Sequence, residues 1–125
     1  QNTNIVIIEG FLADDPKFRS VRDGVEYAAF RLANNQDYKG PENEWVNRAF
    51  YSNIVVKTPH DVRAIKARAL KKGARVLVEG RLENRTYQGQ NNTTHYITEV
   101  VVNPYGGKLQ FLDPRVGGDD GNDDA

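Results

Sequence analysis

A small all-β barrel carrying one helix is the fold class this sequence predicts. Three observations predict it. Short β-branched and aromatic runs alternate in polarity, Gly- and Asp-rich turns separate them, and one segment alone has helical periodicity with helix end signals. The chain has 125 residues, enough for one domain. It contains no cysteine, which excludes disulfide scaffolds and cysteine-based zinc sites. No apolar run approaches the roughly 18 residues of a membrane helix, and no signal-peptide pattern opens the chain. Gln1 is too large to follow a normally removed initiator Met, so a trimmed or processed N-terminus is expected.

Residues 5–8 are a β-branched run and start the first strand. Gly10 predicts a bend or bulge. Ala13-Asp14-Asp15-Pro16 is a turn, and residues 17–21 continue the strand to Arg22-Asp23-Gly24, where Asp-Gly signals a hairpin. Residues 25–33 are the second strand, with Ala28, Phe30 and Leu32 on one face and Tyr27, Ala29, Arg31 and Ala33 on the other. Residues 34–44 are polar, contain Lys39-Gly40-Pro41 and read as a long, mobile hairpin loop. The third strand, 45–57, places Val46, Arg48, Phe50, Ser52, Ile54 and Val56 on one face. Trp45, Asn47, Ala49, Tyr51, Asn53, Val55 and Lys57 take the other. Phe30 and Phe50 read as core.

The helix follows. Thr58 suits its N-cap, Pro59 its first position and Asp61 its third, close to a capping box. Val62, Ile65, Ala69 and Leu70 supply an apolar stripe, and Gly73 is the expected stop. Lys71-Lys72 reads as a charge pair at the helix C-terminus. Residues 75–87 form a long strand with Val76, Val78 and Leu82 on the aliphatic side and a bend at Gly80. A loop at 88–92 leads to the return strand, 93–103, and residues 108–112 form a short sixth strand. Five strands with the helix between the third and fourth is the order of an OB-fold, a five-stranded Greek-key barrel. Residues 1–115 make up this domain. Residues 116–125, rich in Gly and Asp, predict a disordered acidic tail. The OB-fold hosts binders of oligonucleotides, oligosaccharides and proteins, so the fold alone does not assign a function.

The formal net charge is zero but unevenly spread. Asp119, Asp120, Asp123 and Asp124 all follow the last basic residue, Arg115, leaving residues 1–118 with 17 basic and 13 acidic groups. A mildly basic domain with an acidic tail points to a polyanionic partner and an intramolecular competitor for it. No catalytic constellation is present: His60 and His95 are the only histidines, and neither a phosphate loop nor a nucleophile elbow occurs. No metal and no cofactor are expected, and the chain reads as a binding protein rather than an enzyme. Trp45, Tyr51 and Lys57 share parity on the third strand, and Arg81, Arg85 and Tyr87 share parity on the fourth. Rings for bases interleaved with cations for phosphates are what a single-stranded nucleic acid requires. Exposed strands favour Tyr and Trp for their own sake as well.

These residues carry a resemblance. The stretches NIVIIEGFLADDP (4–16), AAFRLAN (28–34), LKKGARVLVEGRL (70–82), YITEVVVN (96–103) and GGKLQFL (106–112) resemble the bacterial-type single-stranded DNA-binding proteins over about 110 residues in order. The resemblance implies an OB-fold and sequence-tolerant binding of single-stranded DNA in replication, recombination and repair. A nucleoid-associated cytoplasmic location is expected, with an organellar, phage or plasmid origin as the alternative. The resemblance also implies a homo-oligomer, a tetramer with a dimer as the alternative. Strand one and the exposed faces of strands five and six would form the subunit interface. Under it, Trp45, Tyr51 and Tyr87 stack on bases, and Arg19, Arg31, Arg48, Lys57, Lys72, Arg81 and Arg85 pair with phosphates. A protein-interaction module and an RNA-binding module remain the alternatives.

The chain departs from the family at several places. Tyr51-Ser52 stands where the family has Trp-His, Lys57 where it often has an aromatic, and Tyr87 where it has Trp. In the family that His supports subunit association. The chain ends Asp123-Asp124-Ala125, where the family has a short hydrophobic tip that docks partners. Either the tail does not recruit replication or repair proteins, or the native tail extends beyond Ala125.

Overall fold

Alternation along the strands decides what goes inside. The structure, a computed structural model, describes residues 2–22 and 24–113. The expected acidic tail and Asp23 lie outside the described residues. The elements are β1 (Val6–Leu12), β2 (Lys17–Arg22), β3 (Val25–Lys39), β4 (Trp45–Val56), α1 (Pro59–Ala67), β5 (Arg75–Gln88), β6 (Thr94–Val102) and β7 (Lys108–Phe111). A short 3-10 turn, Gln90–Asn92, joins β5 to β6. Every second residue of the central strands points inward, and Leu12, Leu32, Ile54, Val56, Val76 and Val78 are all but fully buried. Val62 and Ile65 of α1 pack into the same cluster.

Five strands close a ring. β1 pairs antiparallel with both β3 and β5, β3 with β4, and β5 with β6, while β4 and β6 run parallel. This is the expected OB-fold barrel, and its helix lies between the third and fourth ring strands. The expected first strand, however, is two. The Asp14-Asp15-Pro16 turn separates β1 from β2, and β2 pairs with β3 outside the ring, as β7 does with β5. Two glycines allow the closure. At Gly10, where β1 passes from β5 to β3, a Cβ would collide with the Ala33 carbonyl oxygen. At Gly80, where β5 passes from β1 to β6, it would collide with the Val101 carbonyl oxygen. Only a residue without a side chain admits backbones this close.

The expected mobile loop at 34–44 is a correction. β3 runs on to Lys39 and pairs residue by residue with β4 out to Lys39 opposite Trp45. The backbone ladder needs no apolar side chains, so polar composition did not end the strand. The turn itself is short: Gly40 N–H donates to Glu44 O (2.7 Å) and Asn43 sits at φ 65. This arm projects beyond the barrel, and that overturns the assignment of Phe50 to the core. Phe50 has inward parity but no core beneath it, and it is 47% exposed against 6% for Phe30. Leu82 keeps its aliphatic parity, opposite the buried Val100 of β6, yet is itself 46% exposed.

The helix also ends early. Gly73 was the expected stop, but Ala67 is the last helical residue and Arg68 the cap. Ala69 takes φ 52, its N–H donating to Lys66 O (3.0 Å), and Leu70 N–H donates to Ile65 O (3.1 Å). That pair of bonds is a Schellman motif with alanine where glycine is usual. Ala69 is therefore exposed, not part of the apolar stripe, while Leu70 packs on the core. Lys71 and Lys72 fall in the connection to β5 and not at the helix end. At the other end Thr58 makes no side-chain cap bond.

Two stability predictions follow from these placements. Phe50→Ala should cost less than about 1 kcal/mol, whereas Phe30→Ala should cost about 3–5 kcal/mol through a core cavity. Equal losses in urea denaturation would put Phe50 back in the core. Ala69→Gly should stabilise the domain by about 0.5–1 kcal/mol, because glycine bears no steric penalty in the left-handed region. A lower urea midpoint for that variant would contradict the cap geometry.

Candidate nucleic-acid interface

Residues that alternate away from the core form one outward face across five strands. The register sets Arg19 (β2) opposite Tyr27 (β3), Arg31 opposite Asn53 and Ala33 opposite Tyr51 on β4. It then sets Asn53 opposite Glu99 on β6, and Arg85 and Tyr87 of β5 opposite Ile97 and His95. A groove of ≈ 1020 Å³ runs over this face. Its floor includes Ala29, Val55 and Ile97, and Lys17, Arg19, Arg31, Lys57 and Arg85 line it.

Four of the sequence-predicted cations, Arg19, Arg31, Lys57 and Arg85, thus meet in one groove. Tyr51 and Tyr87 stand on the same face, 59% and 47% exposed. Trp45 shares the parity of Tyr51 but lies at the end of the β3–β4 arm, about 20 Å along the strand. It is 70% exposed, with Lys39 Nζ 5.0 Å from its ring centroid. Arg81 has this parity on β5 and reaches Glu83 at 3.6 Å. Two predicted contacts do not join the face. Arg48 projects from the opposite side of β4, its guanidinium 5.1 Å from the Phe50 centroid. Lys72 lies in the α1–β5 connection, where its backbone N–H donates to Asp15 Oδ1 (2.8 Å).

The groove is not the cationic surface that strand parity suggested. Its five basic residues are matched by five acidic ones, Asp14, Asp15, Glu26, Glu83 and Glu99. Arg31 donates from Nε and Nη2 to the two oxygens of Asp14, both at 2.8 Å. Arg85 does the same to Glu99, both at 3.0 Å. Hydrogen bonding from Arg31 holds the Asp14 carboxyl below the usual carboxylate range. Each arginine also lies near a tyrosine ring, Arg31 at 5.3 Å from the Tyr51 centroid and Arg85 at 5.9 Å from that of Tyr87. Among the described residues Lys17, Arg19 and Lys57 form no ion pair.

Sequence reasoning missed Asp14 and Glu99, whose pairing depends on distant register, and Lys17, which needed β2 as a separate strand. It also missed His95, which stacks on Tyr87 with centroids 5.1 Å apart and planes at 21°. The position of His95 directly across the β5–β6 hairpin from Tyr87 was the available signal. Among the described residues no group of three or more His, Cys, Asp or Glu could hold a metal ion, and no helix is long and apolar enough to cross a membrane.

Comparison with known proteins bears on this face. A family model described as "Single-strand binding protein family" matches residues 3–112. A Bacillus cereus protein named single-stranded DNA-binding protein is 38% identical over 117 residues, 92% of this chain and 63% of the relative. A Staphylococcus aureus protein named single-stranded DNA-binding protein 1 is 34% identical over 114 residues, 90% of this chain and 67% of that one. The chain therefore spans just under two thirds of the Bacillus relative's length. Among solved structures, a Plasmodium falciparum complex with single-stranded DNA superimposes with a TM-score of 0.80 at 30% identity, covering 90% of this chain and 97% of that one. A small single-stranded DNA-binding protein from Streptomyces coelicolor, at TM-score 0.64 and 21% identity, covers 90% of this chain and 96% of its own; it speaks to the fold alone.

Proposed function

Since the chain belongs to the single-strand binding protein family, we propose that it binds single-stranded DNA without sequence preference, as a non-catalytic protein of replication, recombination and repair. The observation that carries this reading is the continuous outward face, on which Tyr51 and Tyr87 stand half-exposed beside an apolar-floored groove whose lining includes Lys17, Arg19 and Lys57, none of them in an ion pair among the described residues. Bases stack on the two tyrosines and, at the end of the arm, on Trp45, because every base offers a π face whatever its identity. Phosphates meet Lys17, Arg19 and Lys57, which form no ion pair among the described residues. Arg48 and Lys72 have no part in this face. Residues 116–125 act as an acidic competitor for the groove, on the strength of their four Asp.

The protein acts as a homo-oligomer in this reading. Ile5, just before β1, and Ile7 and Phe11 on it share one outward parity away from the groove, the first two nearly two-thirds exposed, with Glu9, paired to Arg75, between Ile7 and Phe11. Covering three large apolar side chains favours association of copies through that strand.

Titration with a polythymidine oligomer at low salt should quench Trp45 fluorescence. Tyr51→Ala and Tyr87→Ala should each weaken binding by about 1–3 kcal/mol while thermal midpoints hold, since both rings are exposed. Absence of binding by the unaltered protein would sink the reading. Variants that unfold while the remaining folded protein binds normally would show that the site lies elsewhere. For assembly, light scattering should return a multiple of the 14.1 kDa chain, and Ile7→Asp should lower that multiple. A monomeric mass at micromolar concentration would refute assembly through β1.

A further inference from the structure

The two tyrosines have the same construction beside them. A carboxylate grips an arginine by its Nε and Nη2 hydrogens, and the guanidinium lies near the ring: Asp14–Arg31–Tyr51 at one place, Glu99–Arg85–Tyr87 at the other. The geometry is repeated but the burial is not. The Asp14 side chain is 37% exposed and that of Glu99 only 9%. A phosphate that drew Arg31 away would leave Asp14 in water, and exposed pairs exchange at little cost. A phosphate that drew Arg85 away would leave a buried carboxylate unpaired, which is strongly unfavourable. Glu83 stands directly opposite Glu99 in the β5–β6 ladder, so the loss of Arg85 would also leave two carboxylates side by side.

We propose that Glu99 is a positioning residue that withholds Arg85 from phosphate and fixes its guanidinium beside Tyr87 as part of the base-stacking platform, while Arg31 exchanges Asp14 for phosphate. The inference rests on the single-stranded DNA reading above and refines it. An arginine bound to a carboxylate presents no net charge, so it displaces no counterion from the nucleic acid. Its plane still contributes to stacking, because guanidinium and aromatic faces attract one another. Two arginines that look equivalent on the strands therefore differ in role, and the difference follows from the burial of their acids.

The salt dependence of binding separates the two roles. Affinity of the full chain for a labelled thymidine oligomer is measured by anisotropy over a range of salt. Arg31→Gln should make the log–log slope shallower by about 0.7, the value for one phosphate on a single strand. The paired variant Arg85→Gln with Glu99→Gln, which leaves no charge stranded, should keep the unaltered slope while affinity falls through poorer stacking. Glu99→Gln alone, nearly isosteric, should release Arg85 and steepen the slope by about 0.7. A shallower slope in the paired variant, an unchanged slope in Glu99→Gln, or an unchanged slope in Arg31→Gln would each overturn the assignment with DNA binding intact. Failure of the unaltered protein to bind the oligomer would instead overturn the functional reading, and this inference with it.

Discussion

Closure of the ring through β1 is the constraint on which the rest of the molecule depends. One seven-residue strand must satisfy two neighbours, β3 and β5. It does so by changing partner at a point where its backbone nearly touches the Ala33 carbonyl, and β5 answers with the same manoeuvre at Gly80. With both corners made, inward residues from all five strands meet one another and α1 seals one end of the cluster. The outward residues are then left in a fixed order around the wall. The groove is a product of that order: Arg31, Asn53, Glu99 and the β5 residues come together only because β4 and β6 lie side by side in parallel.

The electrostatic character of the wall follows from the same packing. Val55 and Val101 are buried on the outward side of the barrel and are absent from its core cluster. Glu99 lies on this side as well, with its side chain only 9% exposed, and leaving such a carboxylate without a close partner is costly. Arg85 supplies one through two parallel hydrogen bonds, the strongest arrangement open to such a pair. At the groove's other side Asp14 sits on a turn in contact with water, and its bond to Arg31 is a surface interaction. Local burial, not the number of charges, sets what each arginine can offer a ligand.

How much of this was legible in the sequence can be judged residue by residue. The alternation of Ala28, Phe30 and Leu32 told the core face of β3 correctly, and the Asp-Gly pair marked the β2–β3 hairpin. Parity was enough to put Tyr51 and Tyr87 outside. It was not enough for Phe50, because parity tells a residue's side and not whether anything lies beneath it. The 34–44 segment was misread because side-chain polarity is silent on backbone pairing. Ala69 in a left-handed cap contradicts local preference; two backbone hydrogen bonds and the packing of Leu70 against the core accompany it. The Arg–carboxylate pairs span 14 and 17 positions and depend on strand neighbours that no local pattern announces.

The β3–β4 arm has a consequence beyond its own shape. Its outer half is a two-stranded ribbon of largely polar side chains, and such ribbons hold together only marginally without a layer to pack on. Trp45 is thus tethered to the barrel wall rather than built into it, at a distance of about 20 Å from Tyr51. On the proposed function, a polymer already held at Tyr51 meets Trp45 as an intramolecular ligand, at an effective concentration set by the ribbon's length and stiffness. The two rings have different neighbours, Arg31 and Lys39, so the loss of Trp45 leaves the surroundings of Tyr51 intact. Such an arrangement loses its hold on a long strand in stages, the tip letting go while the wall retains its grip.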